Sequence, residues 1–221
     1  MPANATAPSA ASVSAAASAV TLPARTPARQ LLLEAAARLF YAQGVGATGI
    51  DTITTEAGVA KKSLYNNFAS KAELVAAYLE ARHEEWLDLY RARVAIAATP
   101  GERVLAVFDA YLDHANFSYE HGFRGCGLLN AAAELPVGHP GRLAVRQHKQ
   151  EVEHLLATHL ADLLAGLPGT AGSPDAAERA AGLAQHLSFL LEGAMARAGL
   201  EGDDANLRDA KRIAQQILAG L

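Results

Sequence analysis

A single cysteine, Cys126, in 221 residues excludes an internal disulfide framework. No apolar run approaches the length of about 18 residues that reads as a membrane span. Long β-branched stretches are missing, and Pro and Gly fall mostly between periodic segments, which predicts an all-α chain. The chain also lacks a Gly-rich phosphate loop, a nucleophile elbow and a paired-histidine metal motif. None of its eight histidines has a partner four residues away, and His154 and His159 are five apart. The expectation is a non-enzymatic protein without cofactor or metal. Residues 1–24 carry no charge at all, and Ser interrupts every Ala run. A secretion signal needs a basic start and a strong apolar block, so this stretch reads as a disordered tail and the protein as cytoplasmic.

What is present is distributed unevenly. Apolar residues make up 51% of the chain, ample for a core, and the net charge is −4. Residues 25–71 hold six Lys and Arg against three acids, a balance of +3; residues 72–221 hold thirteen against twenty, a balance of −7. A basic head on an acidic body directs one end of the molecule towards a polyanion and keeps the other away from it.

Within the basic head, residues 44–71 read as two short helices joined by a tight turn. Ile53, Ala57, Val59, Leu64 and Phe68 form the inward-facing set, with Gly58 at the turn, where a left-handed backbone is expected. Between the anchors lie Ala60, Lys61, Lys62, Ser63, Asn66 and Asn67, small, basic or amide residues suited to phosphates and base edges. Such a helix is too polar to be core, yet it is pinned from one side. A helix-turn-helix has this layout, with its second helix in the major groove.

The segment Leu33-Glu34-Ala35-Ala36-Ala37-Arg38-Leu39-Phe40, then Gly44-Val45-Gly46-Ala47-Thr48, then Ile53 to Val59, then Leu64-Tyr65-Asn66-Asn67-Phe68-Ala69-Ser70-Lys71 resembles the DNA-binding domain of the TetR family of bacterial transcriptional regulators. Three positions depart from the family pattern. Thr54 stands where Ala is usual, Asn67 where an aromatic residue or His is frequent, and Ala60 where Ser often caps, weakening that helix start by about 1 kcal/mol. The resemblance implies an all-α fold. Residues 1–24 would be the tail, 25–70 a three-helix helix-turn-helix domain, and 71–221 a larger helical domain for ligand binding and dimerisation. It also implies a transcriptional regulator, a repressor released from a palindromic operator by a small molecule. The alternatives are a DNA-binding dimer without an inducer and a thiol sensor acting through Cys126.

Residue by residue, Lys61 and Lys62 suit guanine edges or phosphates, Ser63 a base edge or phosphate, and Asn66 and Asn67 phosphate or adenine. The Tyr65 ring falls nearly in register with the anchors, leaving its hydroxyl for a phosphate. Thr48 is expected to cap the second helix and so present backbone N–H groups. Lys71 resembles the family's phosphate-binding lysine, and Arg25 and Arg29 can form an arm over the DNA backbone or minor groove. Thr26 is placed to cap the first helix, with Pro27 at its first turn.

Behind the head, Ser70 to Glu73 is a capping box that starts a long helix to about Ala97, and Thr99 to Glu102 is a second one. A short helix is expected from about Cys126 to Leu135, another helix after the turn at Pro136 to Pro140 as far as about Leu164, and two final ones over about 174–199 and 204–219. The first of the final pair carries Leu183, Leu187, Leu190, Leu191 and Ala194. The second carries Leu207, Ala210, Ile213, Ala214, Ile217 and Leu218. These faces either finish the monomer core or pair with a twofold copy into a four-helix bundle. A helix-turn-helix favours the dimer, since one recognition helix reads few bases. For the ligand pocket that the resemblance implies, the candidate lining is Trp86, Tyr90, Phe108, Tyr111, His114, Phe117, Cys126, Asn130, Glu134, His186 and Phe189. Aromatic residues at helical spacing are more often plain core. His114, Asn130 and Glu134 stand out as polar groups among apolar neighbours. Cys126 reads either as an inert buried thiol or, with Arg124 near and a helix beginning there, as a reactive one.

Overall fold

The computed structural model describes residues 27–117, 119, 122–168 and 175–221. The tail, Arg25 and Thr26 lie outside the described residues. Among those described there are nine helices and no strand: α1 (Ala28–Gln43), α2 (Ile50–Glu56), α3 (Lys61–Asn67), α4 (Lys71–Val94), α5 (Pro100–Ala115), α6 (Gly127–Ala133), α7 (Pro140–Ala165), α8 (Ala176–Glu201) and α9 (Ala205–Ala219).

Local chemistry sets most of these boundaries. Thr99 Oγ1 accepts from the Glu102 N–H while the Glu102 carboxylate accepts from the Thr99 N–H, with Pro100 opening the helix, so α5 begins with a complete capping box. At α4 the box is displaced by one residue. Ser70 Oγ accepts from the Glu73 N–H, but the Glu73 carboxylate takes the N–H of Ala69. α1 starts at Ala28 with Pro27 in the cap position rather than inside the first turn. Ala60 supplies no side-chain cap to α3, as its missing hydroxyl dictates.

Two apolar clusters share the molecule. One joins Leu32, Phe40, Ile53, Leu64 and Phe68 of the first three helices and their margins to Leu74, Tyr78 and Leu79 of α4, Leu128 and Ala131 of α6, and Val145 of α7. The other gathers Trp86 and Tyr90 of α4, Phe108 and Tyr111 of α5, Leu156 and Leu160 of α7, Leu187 and Met195 of α8, and Leu207 of α9. α4 runs through both, so its first half belongs to the head's core and its second half to the body's.

The α8 and α9 residues divide between two environments. Leu187, Leu191 and Ala194 are buried inside this single chain, as are Leu207, Ala210 and Ala214. They are therefore core rather than free pairing surface, because α7 and α9 pack over that side of α8. Leu183, Leu190, Ile217 and Leu218 are half-buried at its margin, and Ile213 is exposed. The outward stripe of α8 is a different set: Gly182, His186, Phe189, Gly193, Ala196 and Leu200, all exposed and spaced alternately four and three residues apart. Phe189 is 66% exposed, so neither it nor His186 points into the body, against the expectation that both line a pocket.

Candidate nucleic-acid interface and adjoining cavity

Gly58 makes the turn between α2 and α3 with φ +64°, the left-handed conformation its position demands. The Val59 N–H then donates to the Thr54 carbonyl, which closes the corner. α3 is held from below by fully buried Leu64 and by Phe68, and it presents Lys61, Lys62, Tyr65 and Asn66 outward. Tyr65 is 51% exposed, so its ring does not pack with the anchors. Ser63 is half-buried. Asn67 turns back on its own helix, donating to the Ser63 carbonyl at 2.8 Å, which reduces its reach towards a base. Lys61 lies 2.8 Å from the Asp51 carboxylate of α2, which raises its pKa through that hydrogen bond and charge. Half-buried Lys71 opens α4. The Arg29 guanidinium sits 5.1 Å over the Phe68 ring, so the first and third helices share a cationic margin.

Thr48 does not cap α2. It is buried, and its hydroxyl donates to the Gly44 carbonyl at 2.7 Å; Gly49 occupies the cap position. The extra residue between Thr48 and the helix turns the side chain back to close the loop after α1.

That loop is where head meets body. The Glu134 carboxylate accepts from the N–H groups of Val45 (3.0 Å) and Gly46 (2.5 Å). Glu134 is thus a clamp on the head and not a pocket residue. Gly44 sits at φ +91°, strained for any other residue, and a Cβ there would lie 2.7 Å from a Glu134 oxygen, so a side chain would push the carboxylate off the clamp. The Arg124 guanidinium donates to the carbonyls of Tyr41 and Ala42 at the end of α1, and the Arg124 N–H donates to the Tyr41 hydroxyl, which itself donates to the Gly125 carbonyl. Burial pushes the Tyr41 phenol up to about 12, partly offset by the Arg124 N–H and charge. Asn130 is spent locally, donating to the Arg124 carbonyl.

Behind this joint lies a cavity of about 510 Å³, within the range of small-molecule sites. Of the expected lining it contains Trp86, Tyr111, His114, Phe117 and Cys126. Phe108 is fully buried in the body core, and Tyr90 turns to His159 at 2.5 Å; both are packing residues. Asn130, Glu134, His186 and Phe189 are absent from it for the reasons given above. Sequence reasoning missed Tyr41, Arg82, His83, Glu85, Tyr119, His148 and Lys149, which all line it. Four of the lining residues, Ala37, Arg38, Tyr41 and Ala42, belong to α1, so the cavity touches head and body at once.

Its charges are mostly matched. Arg82 Nη1 lies 2.8 Å from Glu85, and Lys149 Nζ lies 2.7 Å from Glu192 and 3.0 Å from the Tyr111 hydroxyl. Burial raises the Glu85 pKa, but His114, its Nε2 3.6 Å away, and the Arg82 charge more than offset it and hold the carboxyl low. Burial likewise works against charged Lys149, yet Cys126, Tyr111 and Glu192 leave its pKa well above the ordinary lysine value. Cys126 is half-buried. The expectation of no metal counted spacing along single helices. Across α4 and α7, His83, His148 and Glu151 bring their ligand atoms within 4.8 Å of one another.

Residues 32–78 match the family model described as bacterial regulatory proteins, tetR family. A solved TetR-family transcriptional regulator from Streptomyces coelicolor, SCO4454, superposes with a TM-score of 0.76 at 30% identity, covering 88% of this chain and 95% of that one. The HTH-type transcriptional activator FasR of Mycolicibacterium smegmatis is 32% identical over 105 residues, 48% of this chain and 46% of that protein. The HTH-type transcriptional repressor KstR2 of Mycobacterium tuberculosis is 39% identical over 79 residues, 36% of this chain and 40% of that protein. The chain thus spans less than half the length of these two curated relatives.

Proposed function

Because the chain belongs to the TetR family of bacterial transcriptional regulators, we propose that it is a homodimeric DNA-binding repressor whose operator affinity falls when a small molecule fills the cavity beside α1. The observation that carries this reading is the sharing of α1. Its far end and the loop after it are clamped by Arg124 and Glu134, its last two turns line the cavity, and its inner face packs against α3. A ligand that favours a different setting of α1 against α4 and α6 moves the helix that bears Lys61 and Lys62. It shifts affinity only by as much as it discriminates between the two settings.

The dimer surface in this reading is the outward stripe of α8 with Ile213 of α9. Its glycines and alanine permit close helix crossing, and Phe189 and Leu200 give it apolar area. Two recognition helices then address half-sites about 34–36 Å apart, so the operator is a palindrome.

Selection of bound duplexes from a random pool tests the reading: the expected result is a palindrome, and sequence-indifferent binding would overturn it. Cys126 stands in the cavity wall, so a thiol-reactive effector is a second route to the same switch. Cys126→Ser that keeps full release by the effector would remove that route.

A further inference from the structure

Two Glu/His pairs face each other across α4 and α7. Glu80 and His83 are three residues apart on α4, and His148 and Glu151 are three apart on α7, so each pair shares one face of its helix. The contacts between them are of two kinds. His83 Nε2 lies 2.8 Å from Glu151 Oε2, an ordinary hydrogen bond. His148 Nε2 lies 3.6 Å from Glu80 Oε2, too far for one. His148 is only 8% exposed, and its Nε2 is buried with no hydrogen-bond partner. The two rings lie 4.0 Å apart between centroids. Leaving a buried ring nitrogen unpaired is costly, and such a group calls for an explanation.

We propose that Glu80, His83, His148 and Glu151 form a binding site for one divalent transition-metal ion, Zn(II) in chemical type, that ties α4 to α7. Metal–nitrogen and metal–oxygen bonds of about 2.0–2.2 Å separate neighbouring donors by roughly 3–4 Å. The 3.6 Å gap is such a separation, and the three donor atoms of His83, His148 and Glu151 already lie within 4.8 Å of one another. Rotations of the half-exposed Glu151, of Glu80 and of the two stacked imidazoles, whose planes are inclined by 24°, bring the set onto a common centre, with the 2.8 Å contact opening to admit the ion. Two imidazoles with carboxylates suit zinc and its first-row neighbours, whereas Ca(II) and Mg(II) prefer all-oxygen sets. Because His83 and His148 also line the cavity, the ion would sit at its wall.

The site is tested on the full chain, freed of metal and titrated with Co(II). The expected result is one equivalent bound per chain with visible ligand-field absorption, displaced by Zn(II). His83→Gln and His148→Gln each weaken binding at least about 10-fold, and Cys126→Ser leaves it unchanged. X-ray absorption of the Zn(II)-loaded wild-type chain reads the ligand set without relying on any variant. Two imidazoles with oxygen and no sulfur are expected. Absence of saturable binding, binding that survives both glutamine substitutions, or a sulfur ligand would each overturn the proposal.

Discussion

Lys61 reaches both ways: back to Asp51 at 2.8 Å and outward to whatever lies against α3. Both partners are exposed, so the pair contributes little to stability and gives way readily to a phosphate. Replacing Lys61 and Lys62 with Ala should lower DNA affinity and flatten its log–log salt dependence by about one unit per lost phosphate contact. A salt titration by fluorescence anisotropy measures both, and an unchanged slope would remove α3 from the interface. Sequence pattern found these lysines because exposure follows from the anchors: once Leu64 and Phe68 point inward, residues 61, 62, 65 and 66 must point out. It misjudged the capping role of Thr48 and did not reveal the bond from Asn67 to the Ser63 carbonyl; both contacts depend on backbone geometry that residue type alone does not state.

α6 is short, yet its end decides how the head is carried. Glu134 follows its last turn and takes two N–H groups of the loop after α1. Glu134→Ala should cost about 1–3 kcal/mol, the range for losing hydrogen bonds to a charged group. It should also weaken the effect of a cavity ligand on DNA binding. Thermal unfolding reads the first effect; operator affinity with and without ligand reads the second, and an undiminished ligand response would show that the clamp transmits nothing. From the sequence, Glu134 was a polar residue among alanines and leucines, an equally good candidate for a pocket. Its partners lie almost ninety residues away, beyond any local pattern.

For the whole molecule, pH and assembly are the two levers. His159 of α7 is buried and hydrogen-bonded to Tyr90 of α4, with Arg103 and Asp162 the charges that act on it. Burial, and then the Arg103 charge, lower its pKa, against a smaller opposing pull from Asp162. The folded state therefore binds this proton less readily than the unfolded chain. The stability it contributes is present above the ordinary histidine pKa of about 6.5 and is lost as pH falls below it. Unfolding midpoints should drop on acidification through that window, and His159→Phe should make the drop shallower; an equal drop would exclude His159 as a contributor. Assembly is tested at Phe189, 66% exposed on the outward stripe of α8. Phe189→Glu should shift the protein towards monomer in sedimentation and weaken operator binding at least about 10-fold, since each half-site then binds alone. A dimer that persists at low concentration would place the contact elsewhere.

The sequence by itself determined the helices and their order, because periodicity and caps are written within a few residues: the Thr99–Glu102 box, Gly58 at its turn, and the Leu64 and Phe68 anchors all stand as expected. Tertiary structure alone decided which polar groups meet. Lys149 is enclosed with Glu192 and Tyr111; His83 finds His148 sixty-five residues on. Helical spacing tells which side of a helix a residue occupies, but only the packing of one helix against another tells whether that side faces water, a cavity or a second charge.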